Sequence, residues 1–249
     1  TVTVALTTPP DAGTDGAITL CISSPATPLF DVLGGTPDLG GIWSGPGPLI
    51  NGLFDPATST VGTYSYTVSG IAPCASASAT VDVNVVSEPD PGTPNSITLC
   101  GTDSPISLFG QLGGTPDVGG TWSGPSAVSG GQFDPLTMSA GVYTYTIDVP
   151  PPCVSVSTTI TVALILPPDA GSNGTLTLCN SSPSTPLLPA IGGAPDANGT
   201  WSGPSNVIAG AFDPATMIPG TYTYTVQGTA PCPADIAEVL VSVVTEPDA

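Results

Sequence analysis

Six cysteines are the residues of this sequence with the clearest capacity for covalent chemistry. They fall into two sets, and within each set the spacing is 79 residues: Cys21, Cys100 and Cys179 in one, Cys74, Cys153 and Cys232 in the other. In each 79-residue period the two cysteines are 53 residues apart. An even count at fixed spacing predicts disulfides. The favoured pairs lie within a period: Cys21–Cys74, Cys100–Cys153 and Cys179–Cys232.

This pairing is favoured because Cys21 is expected to end the second strand of a sandwich and Cys74 to lie in its last hairpin turn, at the same end of the fold. Closing such a loop would stabilise each domain by about 4 kcal/mol. A rival bond from Cys74 to Cys100 would leave Cys21 and Cys232 needing partners outside the chain, and a metal-binding role for two cysteines per period is weaker still. Disulfides imply an oxidising compartment, so we expect the chain to be extracellular or at a cell surface.

Aspartates recur in every period and could bind calcium, which takes carboxylate and carbonyl oxygens. The alternative is turn chemistry, since an aspartate beside proline or glycine caps a turn through its own side chain. No EF-hand loop is present, and turn capping is therefore favoured over calcium. The candidate calcium ligands are Asp11, Asp90 and Asp169 of the linkers and Asp38, Asp117 and Asp196 of the turns, while Asp55, Asp134 and Asp213 belong to Phe-Asp-Pro turns.

Aromatic residues recur in the same phase. A tryptophan can serve as a platform for sugars, but on a third strand it more often packs in the core near a disulfide, as in immunoglobulin domains. We expect a core role for Trp43, Trp122 and Trp201 and for Tyr64, Tyr66, Tyr143, Tyr145, Tyr222 and Tyr224. Weak glycosylation sequons occur at Asn173, Asn180 and Asn198, and the abundant Ser and Thr residues are candidate sites for O-linked sugars.

Composition excludes several classes of function. The 249 residues contain no Lys, no Arg and no His against 19 acidic residues. Nucleic-acid binding lacks its cations, and Ser-His-Asp and Cys-His catalysis lack their imidazole. A glycosidase carboxylate pair needs one specific cleft, which a threefold repeat makes implausible. No apolar stretch approaches the roughly 18 residues that cross a bilayer. Neither catalysis nor membrane insertion is expected.

The repeat itself is free of gaps. GGTPDLGGIWSGP recurs as GGTPDVGGTWSGP and GGAPDANGTWSGP, and FDPATSTVGTYSYTV recurs as FDPLTMSAGVYTYTI and FDPATMIPGTYTYTV. The predicted domains are 11–89, 90–168 and 169–247. Residues 1–10 match the last strand of a preceding repeat and 248–249 the start of another, so we expect the chain to come from a longer array.

Each repeat has the pattern of short strands. Apolar or alternating runs predict strands at 17–22, 29–33, 42–44, 50–54, 63–68 and 80–85. Gly-Gly, Pro-Asp and Asp-Pro pairs between them are turn formers. Six or seven short strands in about 80 residues indicate an all-β fold of tandem immunoglobulin-like sandwiches. The proline-rich linkers are semi-rigid, so the domains are expected to form an elongated rod.

The combination of PDAG, a TLC strand, GGTPDxGGxWSGP, FDPAT, GTYTYTV and a following PC resembles the immunoglobulin-like repeats of very large Bacteroidetes surface proteins. These include gliding-motility-associated and adhesin-like chains exported by type IX secretion. The resemblance covers all three repeats. It implies a cell-surface location, a stalk or filament role and attachment to surfaces or polysaccharides, and it supplies no catalytic residues.

The sequence therefore predicts a non-catalytic structural segment: a stalk, adhesin shaft or fibre. The alternative is an adhesive module that binds carbohydrate or calcium. Expected partners are neighbouring repeats of the same or identical chains, with surface polysaccharide or covalent glycans as further candidates. Whether the array is one covalent chain or a filament in which residues 1–6 complete a neighbouring copy stays open.

Overall fold

A computed structural model describes residues 6–246 of the chain. By its contacts the chain forms two compact units. The first contains the chain up to Gly92 together with Thr115–Thr121 and Tyr145–Thr158, and the second contains the remainder. The second repeat contributes to both units. The predicted domain boundaries at 79-residue intervals stay a prediction.

The strands recur at the same place in each repeat. In the first they are β1 (Gly16–Cys21), β2 (Thr27–Pro28), β3 (Ile42–Ser44), β4 (Leu53–Phe54), β5 (Gly62–Val68) and β6 (Ala77–Val86). In the second they are β7 (Asn95–Cys100), β8 (Ile106–Ser107), β9 (Thr121–Ser123), β10 (Gln132–Phe133), β11 (Gly141–Ile147) and β12 (Val156–Ile165). In the third they are β13 (Gly174–Cys179), β14 (Thr185–Pro186), β15 (Thr200–Ser202), β16 (Ala211–Phe212), β17 (Gly220–Val226) and β18 (Asp235–Val244).

The main sheet of the first repeat has the order β1-β6-β5-β3. Strands β5 and β6 form an antiparallel hairpin, and β3 pairs antiparallel with β5. Strand β1 runs parallel to β6, so that Gly16 lies opposite Val81 and Cys21 opposite Val86. A second, small sheet pairs β2 with β4. The third repeat has the same order, and in the second β7 runs parallel to β12 with Cys100 opposite Ile165.

Strand alternation places one face of each hairpin in the core. On β5 the side chains of Tyr64 and Tyr66 are buried, while Thr63 on the opposite face of the strand is exposed. On β6, Val81 is buried opposite Tyr64 and Ala79 opposite Tyr66, while Asp82 faces solvent. The cores of the three repeats are built from equivalent residues, which include the fully buried Phe54, Phe133 and Phe212.

Two strand predictions within the first repeat are wrong in part. The apolar run at 29–33 forms a short 3-10 helix, Leu29–Val32, whose equivalents are Phe109–Gln111 and Leu188–Ala190. The apolar residues of this segment serve core burial, since Leu29 is fully buried. The Leu29 N–H donates to the Gly52 carbonyl at 3.1 Å rather than to a strand ladder. The strand expected at 50–54 is limited to β4.

The strand expected at 1–10 falls partly outside the described residues, and residues 248–249 lie wholly outside them. Residues 6–10 are not in a strand. They correspond to 85–89, where β6 already ends at Val86. The helical segments of the described chain are short turns, none of which is long and apolar enough to span a membrane.

Candidate functional site: the disulfide junctions

Two disulfides connect cysteines of different repeats. Cys21 bonds Cys153 and Cys100 bonds Cys232, with Cα–Cα distances of 5.0 and 4.9 Å, and each spans 132 residues of sequence. Both distances lie in the usual range for disulfides. Cys74 and Cys179 are free thiols. The predicted pairs Cys21–Cys74, Cys100–Cys153 and Cys179–Cys232 are therefore wrong, and the rival bond from Cys74 to Cys100 does not form either.

The parallel pairing of β1 with β6 is the physical reason. It places Cys21 opposite Val86, at the end of β6, whereas Cys74 lies in the turn just before Ala77, at the start of that strand. Nine residues of strand separate these two levels, or about 30 Å at 3.3 Å per residue. No disulfide spans that distance.

We call the segment around the first cysteine of each period the strand-end half of a junction. In the first repeat, the Cys21 N–H donates to Ser24 Oγ at 3.1 Å, and the Ile22 N–H donates to the carbonyl of Val86 at 2.9 Å. The Ser23 hydroxyl hydrogen-bonds the carboxylate of Glu88. These contacts fix the end of β1 against the end of β6 and hold Cys21 in place.

We call the turn that carries the second cysteine the hairpin half. Cys153 lies in the turn between β11 and β12, and its Sγ is 3.9 Å from the carbonyl oxygen of Val86. In the second junction, Cys232 Sγ is 3.5 Å from the carbonyl of Ile165. One carbonyl thus contacts both halves of each junction, because Val86 and Ile165 also accept the N–H after the strand-end cysteine. The four bonded cysteines are buried: Cys21, Cys100, Cys153 and Cys232.

Tyr66 occupies the position at which an immunoglobulin domain has a cysteine of its inter-sheet disulfide. The Tyr64 hydroxyl donates to the Thr60 carbonyl at 2.6 Å, the geometry of a tyrosine corner. In antibody domains the inter-sheet cysteine follows that tyrosine by two positions. Here that position is Tyr66, whose ring packs 5.1 Å from the ring of Trp43. The core is closed by aromatic rings, which leaves the cysteines for the junctions.

The tryptophans are half-buried at the edge of the core, on the third strand of each repeat. Trp43 pairs with Tyr66, which lies opposite Ala79, seven residues along β6 from the level of Cys21. That separation is about 23 Å. The expectation that the tryptophan packs near the disulfide is therefore wrong for Cys21. The six tyrosines are at most 3% exposed: Tyr64, Tyr66, Tyr143, Tyr145, Tyr222 and Tyr224.

Close packing of the tyrosines accounts for the glycines that flank each tryptophan. A Cβ on Gly41 would come closer than 3.0 Å to ring carbons of Tyr66, and one on Gly45 would do the same to Tyr64. The Gly41 N–H donates to the Tyr66 hydroxyl at 2.7 Å. The motif GGxWSGP therefore keeps two backbone segments in contact with two tyrosine rings.

The candidate calcium ligands are brought together in pairs that serve turns. The Asp11 N–H donates to Asp38 Oδ2 at 2.9 Å, the Asp38 N–H donates to the Asp11 carbonyl at 2.8 Å, and the Gly13 N–H donates to Asp11 Oδ1 at 2.8 Å. The same contacts recur between Asp90 and Asp117 and between Asp169 and Asp196. Within residues 6–246 no group of three or more acidic or cysteine side chains is arranged to hold a metal. Calcium binding stays a prediction.

Asp15 is the acidic residue with a resolved change of acidity. The backbone N–H of Thr80 donates to Asp15 Oδ1 at 2.7 Å, and this bond lowers the pKa of the carboxyl below its ordinary value of 3.8. In the third repeat the equivalent residue is Asn173, whose Oδ1 accepts the Glu238 N–H at 2.8 Å. Burial raises the pKa of Tyr64.

The sequon residues differ in their surroundings. Asn173 uses its side-chain oxygen in the contact just described, and all three asparagines, Asn173, Asn180 and Asn198, are exposed. Their glycosylation stays a prediction. Beside Trp201 lies an open cavity of about 470 Å³, lined by Pro186, Leu188, Ala197, Gly199 and Tyr224.

Solved structures of tandem immunoglobulin domains have a fold similar to that of this chain. The I-band fragment I67–I69 from titin matches with a TM-score of 0.50 at 13% identity, over 96% of this chain and 100% of the fragment. A 3Ig structure of a titin I67–I69 variant gives 0.49 at 11% identity over the same shares, and the insect immune protein hemolin gives 0.37 at 15% over 73% of this chain and 56% of hemolin. No known protein family and no curated protein matches the sequence. The predicted all-β, tandem immunoglobulin-like fold is confirmed.

Proposed function

We propose that this chain is a non-catalytic structural segment of an extracellular surface protein, a stalk, adhesin shaft or fibre, whose domains form an elongated rod. The observation that carries the proposal is the placement of the disulfides. Each one joins consecutive repeats, whereas a domain that acts alone would gain more from a bond between its own two sheets. The disulfides thus hold consecutive repeats together covalently.

The disulfides also shorten the path along which a pulling force travels. From one end of the chain to the other, the shortest covalent route crosses both bonds and runs backward through the second repeat from Cys153 to Cys100. A stretched chain would therefore release only part of its length before covalent bonds carry the load. This property suits a protein that transmits force between a cell and a surface.

Composition supports the extended shape and the location. The net charge of −19 is unrelieved by any cation, so the domains repel one another and extension is favoured. Linkers such as 87–92 and 166–171 are rich in proline and semi-rigid. Persistent disulfides require an oxidising environment, in agreement with the cell surface or the surrounding medium. The expected partners are neighbouring repeats.

Small-angle X-ray scattering of the oxidised chain tests the proposal. A rod of three domains about 100 Å long has a radius of gyration near 29 Å, whereas a compact globule of 249 residues would have about 18 Å. We expect the larger value for the oxidised chain. A radius near that of the globule in the oxidised protein would contradict the rod and with it the stalk.

A second candidate is a carbohydrate-binding adhesive module. The observation that favours it is the cavity beside the half-buried Trp201, because aromatic rings stack on sugars. A glycan array probed with the chain and with a Trp201→Ala variant tests this use. Binding that is lost in the variant, while its urea unfolding midpoint stays near that of the parent, would support it, and silence on the array would remove it.

A further inference from the structure

We propose that Cys179 of one copy of this chain forms a disulfide with Cys74 of a second copy, and that this bond joins copies end to end. The inference deepens the proposed function, because it names the partner and the bond through which the segment is extended. It commits to a head-to-tail contact, in which two different surfaces of the same chain meet, and such contacts produce closed rings or open chains of subunits.

Cys179 has the surroundings of a bonded strand-end cysteine. It ends β13 opposite Val244, as Cys21 ends β1 opposite Val86. The Cys179 N–H donates to Ser182 Oγ at 3.1 Å, and the Asn180 N–H donates to the Val244 carbonyl at 3.0 Å. The distances at Cys21 are 3.1 and 2.9 Å.

A side-chain contact completes this half. Ser181 hydrogen-bonds the carboxylate of Glu246, as Ser23 does with Glu88. The third strand-end half is thus formed in full. Its cysteine is exposed, whereas its bonded equivalents Cys21 and Cys100 are buried, so the Cys179 thiol is accessible to a partner.

Cys74 has the surroundings of a bonded hairpin cysteine. Its Sγ lies 3.7 Å from the carbonyl oxygen of Thr7, and Cys232 Sγ lies 3.5 Å from that of Ile165. The Cys74 N–H donates to the Ile71 carbonyl at 2.9 Å, which matches the bond from Cys232 to Thr229. The turn that carries Cys74 therefore has the same backbone hydrogen bond as the turn of its oxidised equivalent Cys232.

One feature of the internal junctions cannot be copied unchanged between two chains. Inside the chain, one segment serves both halves, since the Val86 carbonyl contacts both. At a junction between copies, Val244 of the first copy and Thr7 of the second are both equivalent to Val86, and only one of them can occupy its position. Residues 6–10 lie outside strands and 6–9 are exposed, while Val244 belongs to β18, so we expect the segment around Thr7 to move aside.

The chemistry is thiol–disulfide exchange with a small-molecule disulfide such as oxidised glutathione as oxidant. The Cys179 thiolate attacks one sulfur of that disulfide and expels one glutathione thiolate, which leaves a mixed disulfide. The Cys74 thiolate of the second copy attacks the Cys179 sulfur and expels the other thiolate. Two thiols are oxidised, one glutathione disulfide is reduced to two thiols, and both protons go to solvent or to the glutathione.

The test uses the full chain with both internal disulfides formed, at about 0.1 mM in a buffer of reduced and oxidised glutathione at pH 8. We expect a ladder of dimers and higher oligomers on non-reducing gels, collapsed by dithiothreitol. Trypsin has no site in this chain, so the bond is located after cleavage on the N-terminal side of aspartate residues. The expected cross-linked fragments are 55–81, which contains Cys74, and 169–195, which contains Cys179.

Two single variants make the test specific. Cys74→Ser alone and Cys179→Ser alone should each stay monomeric, and their equimolar mixture should form one dimer band and nothing larger. Neither residue takes part in an internal disulfide, so both variants should keep the parent fold. Dimers in either variant alone, or a wild-type chain that stays monomeric, would overturn the proposal. Monomers would leave the scattering test of the rod unaffected, so the two failures are distinguishable.

Discussion

The interior of each repeat and the junction between repeats are held together by different physics. Inside a repeat, rings of two tyrosines cover glycine backbone, a tryptophan packs on the second ring, and no covalent bond crosses the core. At a junction, a buried disulfide is surrounded by turn carbonyls and hydroxyls. None of the four bonded cysteines belongs to the apolar core clusters of the repeats.

This division explains why an immunoglobulin-like sandwich can dispense with its inter-sheet disulfide. An aromatic pair adds about 1 kcal/mol beyond the area it buries, and the fully buried phenylalanine that meets Tyr64 edge-on at 5.8 Å adds a second pair. A linker has no such resource. On the chain-entropy model, a disulfide that closes a 132-residue loop contributes about 5 kcal/mol.

Reducing the junction disulfides should have the largest effect, which is on the length to which the chain extends under force. Pulled from its ends, the oxidised chain can extend along about 90 residues of backbone, or roughly 300 Å, before its bonds carry the force. The reduced chain can extend along the whole sequence, which gives roughly 850 Å. Single-molecule force spectroscopy with and without dithiothreitol measures the difference.

The double variant Cys21→Ser with Cys100→Ser is the control for that experiment. It should give the long extension without reductant. Equal extensions in oxidised and reduced protein would show that the disulfides do not bear load.

Disrupting the packing inside one repeat should have the next largest effect, which is on the stability of that repeat. Gly45→Ala would drive a methyl group into the ring of Tyr64, and overpacking of this kind costs up to about 3 kcal/mol. The urea midpoint of the first repeat should fall, which hydrogen exchange of β5 and β6 resolves from the other repeats. Gly110→Ala is the matched control, since a Cβ there meets its nearest neighbour only at 4.0 Å. Equal midpoints in the two variants would contradict the close packing.

A smaller effect should follow from a polar group buried in the second repeat. The hydroxyl of Thr158 is buried and has no hydrogen-bond partner, while Ala79 and Ala237 hold the equivalent positions. Thr158→Val should raise the free energy of unfolding by about 1 kcal/mol, because an unsatisfied buried hydroxyl is removed. Ala79→Thr should lower it in the first repeat. A destabilised Thr158→Val protein would indicate a partner for that hydroxyl in solution.

The smallest effect concerns acid stability. The pKa of Asp15 is lowered in the folded chain by the Thr80 N–H, so its contribution to stability is present above its unfolded pKa and is lost as pH falls through the folded value. Asp15→Asn copies Asn173 of the third repeat and keeps the acceptor without the charge. We expect the unfolding midpoint of the variant to depend less on pH below about 4. An unchanged pH profile would count against the bond.

The sequence contained the repeat, the turn residues and the alternation of β5 and β6, because these are local patterns, and the immunoglobulin-like fold followed from them. Predicting the disulfide pairs required knowledge of how strands distant in sequence pair with each other. Cys21 ends a strand that runs parallel to the last strand of its repeat, and nothing in Gly16–Cys21 itself distinguishes that pairing from an antiparallel one. The sequence did contain an indirect indication against a disulfide inside each repeat, since Tyr66 stands where an inter-sheet cysteine would be.

The offset of the two disulfides also determines what a protease can achieve. The loops closed by Cys21–Cys153 and Cys100–Cys232 overlap, so one backbone cut anywhere between Cys21 and Cys232 leaves a single covalent molecule. With bonds confined to single repeats, a cut in either linker, at 87–92 or 166–171, would have released a fragment. Exposed linkers are the sites that proteases prefer. A nicked chain of this design stays attached at both ends.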